Sequence, residues 1–164
     1  MILPASFGKV SVQRQLDPRF ELMHQTDLPD ETFYREAKPI RINACFQIWK
    51  RGLQPRQIRQ LPSKHNDFEV VKTLGNADFV IRRIGARAGD VIEIPDDRTA
   101  ARGLSPSSNY YVRATNVAPE QIKSIFHAID FTETRKKSVA VPSVSKPELV
   151  ALYHEVVRQN WTAC

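Results

Sequence analysis

The clearest pattern in the chain is a two-residue alternation. Ile40, Ile42, Ala44, Phe46 and Ile48 alternate with Arg41, Asn43, Cys45, Gln47 and Trp49. Successive strand side chains point to opposite faces, so residues 40–49 are expected to form a strand with one apolar and one mixed face. Weaker signals predict a strand over 6–14 and a short helix plus loop over 17–36, where Pro18 and Pro29 interrupt an acidic stretch. Pro55 suits a first helical turn, which predicts a short helix to Arg59 or Gln60 before Pro62. Residues 67–74 and 78–84 read as two strands. Gly75-Asn76-Ala77 between them has hairpin-turn chemistry, since Gly and Asn tolerate positive φ. Residues 85–89 read as a second turn, and 90–94 and 109–114 as further strands.

The period then changes. After Pro119, the residues Ile122, Ile125, Phe126 and Ile129 recur at i, i+3, i+4 and i+7, one apolar stripe of a helix. Ser145-Lys146-Pro147-Glu148 matches a capping box. Leu149, Leu152, Tyr153, Val156 and Val157 supply the apolar face of the helix it opens. A strand is expected over 136–141 between the two helices. Strands first and helices late predict an α+β domain, 1–164, with helices packed on one mixed sheet.

Composition narrows the class. The chain has 164 residues, 41% hydrophobic and 26% charged, which is globular rather than disordered. No apolar run approaches the roughly 18 residues of a membrane span. Met1-Ile2-Leu3-Pro4 lacks the basic and long apolar regions of a secretory leader, so none is expected. Cys45 and Cys164 form no CxxC or zinc-ligand spacing, and a cytoplasmic location is expected.

Charge is uneven along the chain. The total is +6, from 24 Lys and Arg against 18 Asp and Glu. Segment 15–34 is acidic, with Asp17, Glu21, Asp27, Asp30 and Glu31 against Arg19. Segment 35–72 is basic, and within it Lys50, Arg51, Arg56, Arg59 and Lys64 run without an intervening acid. Such a run is either a solvated face or a contact for a phosphate backbone. Arg135-Lys136-Lys137 is a second basic knot.

Several chemistries are excluded by motif. There is no P-loop, no GxGxxG, no HExxH and no GxSxG. Gly85 and Gly89 flank Arg87 and fit either an anion-binding turn or a hairpin loop. Glu93, Asp96 and Asp97 sit where a strand gives way to a turn, and three carboxylates there could hold Mg2+. The same residues also fit an exposed turn, with Asp97 or Thr99 capping a short helix over 99–102. His65 follows Lys64 and could join an anion site. His127 and His154 fall on the expected helices, and Trp49 and Trp161 could stack on bases.

The run Ile2-Leu3-Pro4-Ala5-Ser6-Phe7-Gly8-Lys9-Val10, the run Arg41-Ile42-Asn43-Ala44-Cys45-Phe46-Gln47-Ile48-Trp49 and the closing helix resemble the plasmid fertility-inhibition proteins of the oncogenic-suppression type. The resemblance implies a ParB/sulfiredoxin-like fold. It implies a block on conjugative or T-DNA transfer through a type IV secretion system, with the coupling protein as a partner at the inner face of the membrane. It also implies DNase and ATPase activities, the latter with ATP. Arg82-Arg83-Ile84-Gly85 has arginines but not the order of the ParB-type box, and the Gly-Cys-His-Arg run of sulfiredoxins is absent.

Two functions follow as expectations. The first is a DNA-acting enzyme. Glu93, Asp96 and Asp97 would be its catalytic, Mg2+-holding acids. Lys50, Arg51, Arg56, Arg59, Lys64, Arg82 and Arg83 would be its backbone clamp, with one of the last two arginines mattering more because they alternate on a strand. The second is a non-enzymatic inhibitor that docks on a secretion protein through the acidic 17–31 and basic 50–64 segments.

Overall fold

The structure is a computed structural model that describes residues 1–96, 100–138 and 141–161. The chain groups into two compact units, Met1–Gln60 with Lys136–Ala140, and Leu61–Arg135 with Val141–Cys164. The fold is α+β. One mixed sheet was expected, but the described strands form three antiparallel sheets. Parallel pairing needs a long crossover connection, and the two long helices come only after the last strand.

The first unit is built on a three-stranded sheet. Its centre is β5 (Ala44–Arg51), flanked by β1 (Ile2–Pro4) and β2 (Phe20–Asp27). The strand over 6–14 is replaced by a 3-10 turn, Ala5–Gly8, and a short helix, α1 (Val10–Gln13). Pro4 has no N–H with which to extend a ladder, and the amides of Val12 and Gln13 turn back to the Lys9 carbonyl. The helix expected within 17–36 is β2 instead. Its pairing with β5 slips between Leu22 and His24, a bulge that hides the period-two signal in the sequence. β3 (Phe33–Arg35) and β4 (Lys38–Ile40) make a separate hairpin. Its two turn residues, Glu36 and Ala37, both have positive φ (52° and 61°), as a two-residue turn of the primed type requires.

The alternation on β5 is present, but its facing is inverted. Cys45 and Gln47 are fully buried, while Phe46 and Ile48 are 38% and 48% exposed. Gln47 tolerates burial because both ends of its amide are used. It donates to Gln25 Oε1 at 2.8 Å and accepts from Trp49 Nε1 at 2.9 Å. Gly8 lies against this pair, and a Cβ there would stand 2.9 Å from Gln25 Nε2. The short helix from Pro55 to Arg59 or Gln60 does not form. That segment has no regular secondary structure and is pinned by Arg56, whose amide donates to the Pro18 carbonyl.

The second unit has a four-stranded sheet in the order β6 (Phe68–Val71), β9 (Asn109–Ala114), β7 (Phe79–Arg82) and β8 (Val91–Ile92). The expected hairpin of β6 with β7 is therefore absent. β9, which pairs with β6 on one edge and β7 on the other, takes the place between them, and a 3-10 turn (Leu74–Asn76) makes the connection. β7 and β8 do form a hairpin. Gly85 and Gly89 in its loop have φ of 104° and 100°.

α2 (Pro119–Ala128) and α4 (Lys146–Trp161) supply the helices of this unit, and both match their predicted stripes. Phe68, Phe79, Val112, Ile122, Phe126, Leu149 and Tyr153 meet in one core. Each such side chain contributes on the order of 1.5–3 kcal/mol on burial. The capping box forms as the sequence predicts. The Ser145 amide and hydroxyl both donate to Glu148 Oε2, at 2.8 and 2.7 Å, and the Glu148 amide donates to Ser145 Oγ at 3.4 Å. The strand over 136–141 is not seen in its described part. α3 (Thr132–Lys136) occupies its start, and Val139 and Ala140 lie outside the described residues.

Candidate functional site

The predicted basic residues divide between the units. In the first, Lys50, Arg51 and Arg59 are exposed. Lys50 stands across the ladder from Glu21, and Arg51 from Phe20. Arg56 has another task. Its Nε donates to the Phe20 carbonyl at 2.6 Å and its Nη2 to the Gln13 carbonyl at 2.7 Å, and its guanidinium lies 5.9 Å from the Trp49 ring. Arg56 holds its own unit together, and its removal would disturb the fold before it disturbed any ligand.

In the second unit, Lys64 is exposed ahead of β6. Arg82 ends β7, is half-buried and has no hydrogen-bond partner for its Nε among the described residues, while Arg83, just past the strand, is exposed with its guanidinium 5.7 Å from the Tyr110 ring. The strand expected over 78–84 stops at Arg82, so the two do not alternate on one strand; Arg83 is the more exposed of them.

Of the acidic candidates, Glu93 is engaged by a residue of the fold. Lys123, almost buried on α2, donates to both oxygens of Glu93 (2.9 and 2.8 Å) and to Glu120 (2.9 Å). These hydrogen bonds, to Glu120 first and then to Glu93, raise the Lys123 pKa above that of an ordinary lysine. Glu93 already has a cation of the protein's own. Asp96 is exposed, and Asp97 and Thr99 lie outside the described residues, as does the side chain of Trp161. Among the described residues no three His, Cys, Asp or Glu side chains are grouped to hold a metal ion.

A different cluster does converge, around His65. The Asp67 amide donates to His65 Nδ1 at 3.1 Å, which leaves the proton of the neutral ring on Nε2. The hydroxyl of the fully buried Tyr153, on α4, donates to Asp67 Oδ2 at 3.0 Å. The His65 ring stacks on Phe68 at 5.7 Å, meets Tyr153 edge-on at 4.7 Å and lies 6.0 Å from His154. Burial, and secondarily His154, hold the His65 pKa below its ordinary value against the opposing pull of Asp67. Burial pushes the Tyr153 hydroxyl well above the tyrosine range, helped by its bond to Asp67.

Two cavities border this cluster, and His65 and Asn66 line both. The first, about 390 Å³, has Lys64 and Lys146 on its rim and Phe68, Val70 and Val150 in its wall. Its only acid among the described residues, Glu69, is held by Arg113. The second, about 440 Å³, combines the apolar Val117, Ile125 and Val157 with Asp67, Gln121 and Ser124. Sequence reasoning reached Lys64 and His65 but missed Asp67, Tyr153 and Lys146. Their sequence separation of some 80 residues leaves no motif to read, and Tyr153 is indistinguishable from any other residue of an apolar stripe.

The first unit also carries an apolar groove of about 500 Å³ lined by residues including Leu3, Phe7, Leu16, Phe20 and Trp49. The carboxylate at its mouth, Asp17, is hydrogen-bonded by Arg19, which lowers its pKa to about 2. That carboxylate is already committed to its neighbour, so the groove offers less chemistry than the His65 cluster. No family model, curated protein or solved structure matches the chain. No described helix is long and apolar enough to cross a membrane.

Proposed function

We propose that the chain is a nucleic-acid-binding module that grips the phosphate backbone through lysines and arginines, without reading sequence. The observation that supports it best is the cavity with Lys64 and Lys146 on its rim, where Glu69, the one acid among the described lining residues, is paired with Arg113. A cationic rim over an apolar wall favours a phosphorylated ligand over a free cation or a neutral metabolite. The exposed Lys50, Arg51 and Arg59 of the first unit and Arg83 of the second add sequence-independent charge. The resemblance to fertility-inhibition proteins sets this contact on DNA in transfer through a type IV secretion system; that setting rests on the resemblance alone.

The test is binding of unrelated labelled oligonucleotides, followed by fluorescence anisotropy over a salt series. Affinity is expected to be similar across sequences and to fall as salt rises. Changing Lys64 and Lys146 to Ala together should reduce the slope of log K against log salt by about one per lysine. Binding that is absent at low salt, or a slope unchanged in the double variant, would overturn the reading.

A further inference from the structure

The two cavities on either side of His65 differ in chemistry in a way that matches the two halves of one nucleotide. One is cationic at its rim. The other is largely apolar, with a carboxylate in its wall and hydroxyl and amide groups on α2. Asp67 is only partly consumed by the fold. Its Oδ2 accepts from Tyr153, and an ionised carboxylate has about four lone-pair positions. His65, with Nδ1 occupied by the Asp67 amide, carries its ring proton on Nε2. A carboxylate acceptor in a largely apolar wall complements a base edge that carries an N–H. In a duplex that edge is already paired, so only an unpaired base can offer it.

We propose that these cavities together seat one nucleotide of a single strand. Its phosphate lies between Lys64 and Lys146, and its unpaired base lies in the cavity walled by Val117, Ile125 and Val157 with an N–H donated to Asp67. This inference rests on the nucleic-acid reading above and deepens it from a backbone grip to a preference for unpaired strands. His65 and Asn66, which line both cavities, are the wall around which such a nucleotide bends.

The experiment compares a single-stranded oligonucleotide with a duplex of the same sequence at matched salt, using the whole chain. The single strand is expected to bind about tenfold more tightly, equivalent to ~1.4 kcal/mol. Ser124 lines the base cavity and is exposed, so Ser124→Phe fills the space without entering the core. That variant should bring the preference to within about twofold while leaving the salt slope unchanged. Asp67→Asn, which keeps the shape and removes the charged acceptor, should do the same. A single strand containing 2-aminopurine should brighten on binding as its base leaves its neighbours, and should not brighten with Ser124→Phe. Equal affinity for both strand forms in the unchanged protein would overturn the inference while leaving the backbone reading intact. Failure to bind either form would overturn both.

Discussion

Trp49 and Gln47, two residues apart on β5, are joined by a hydrogen bond from the indole Nε1–H to the amide Oε1 at 2.9 Å. Because they are two apart they share a strand face, and Gln47 passes the chain of bonds on to Gln25 on β2. The buried face of this sheet is therefore ordered by amides rather than by apolar packing. Gln47→Leu keeps the volume but leaves the Trp49 N–H and the Gln25 carbonyl oxygen without partners. It is expected to destabilise the first unit by about 1–3 kcal/mol. Urea unfolding followed by tryptophan emission measures this, and a midpoint equal to that of the unchanged chain would contradict it.

Gly85 and Gly89 separate backbone strain from steric overlap within one loop. Both have φ near +100°, a region that L side chains rarely adopt. A Cβ on Gly85 meets nothing within 4 Å, whereas one on Gly89 would stand 2.3 Å from the ring of Phe131, itself buried. Gly85→Ala is expected to cost about 1–2 kcal/mol from conformation alone. Gly89→Ala should cost clearly more, since the ring must leave its place. Thermal unfolding of the two variants side by side decides it; equal midpoints would mean that Phe131 yields at no cost.

The elements legible in the sequence were those whose signal is local. The capping box at Ser145 and Glu148 and the stripe Ile122, Ile125, Phe126 and Ile129 depend on residues within one or two turns, and both form. Pairing is a long-range property. Residues 67–74 and 78–84 look like neighbours in sequence, yet Val70 pairs with Val112 and Phe79 with the same residue from the other side. The facing of β5 inverted for a related reason. Gln47 reads as polar and outward until Gln25 and Trp49, set by the fold, satisfy its amide. The candidate site divides in the same way. Lys64 and His65 were visible in a charged run, while Asp67, Lys146 and Tyr153 become a cluster only when α4 packs on the sheet.

His65 makes stability depend on pH. Its folded pKa is lowered, so between the folded and unfolded values the unfolded chain binds more protons, and stability rises with pH. The stabilisation is complete above the unfolded value of about 6.5 and is lost as pH falls through the lower folded value. Protonation would also turn Nδ1 from an acceptor for the Asp67 amide into a donor, facing Asp67 Oδ2 at 3.5 Å, with Tyr153 and His154 against the same ring. His65→Phe preserves the stack on Phe68 and removes the titration. Urea midpoints at pH 7.5 and at pH 5.5 should therefore differ less in that variant than in the unchanged chain. An undiminished difference would assign the pH dependence to other groups.

The Glu93–Lys123–Glu120 bridge governs what the acidic cluster can bind. A magnesium ion at Glu93 has to compete with an ammonium group already 2.8–2.9 Å from both of its oxygens. Magnesium prefers oxygen ligands and is held by carboxylates together with its own waters, so its affinity there is limited by the cost of displacing Lys123. Lys123→Met keeps the nearly buried aliphatic stem and removes the charge. Two carboxylates previously shared by one cation are then left close together, and their repulsion favours any divalent ion. Excess Mg2+ should raise the thermal midpoint of Lys123→Met, through preferential binding to the folded state, by more than it raises that of the unchanged chain. Ca2+, with its more flexible coordination, should do so as well. If Mg2+ instead stabilises the unchanged chain as much as the variant, its site does not include Glu93. Repeating the titration with Asp96→Asn then shows whether Asp96 holds the ion, since loss of the Mg2+ shift in that variant would place it there.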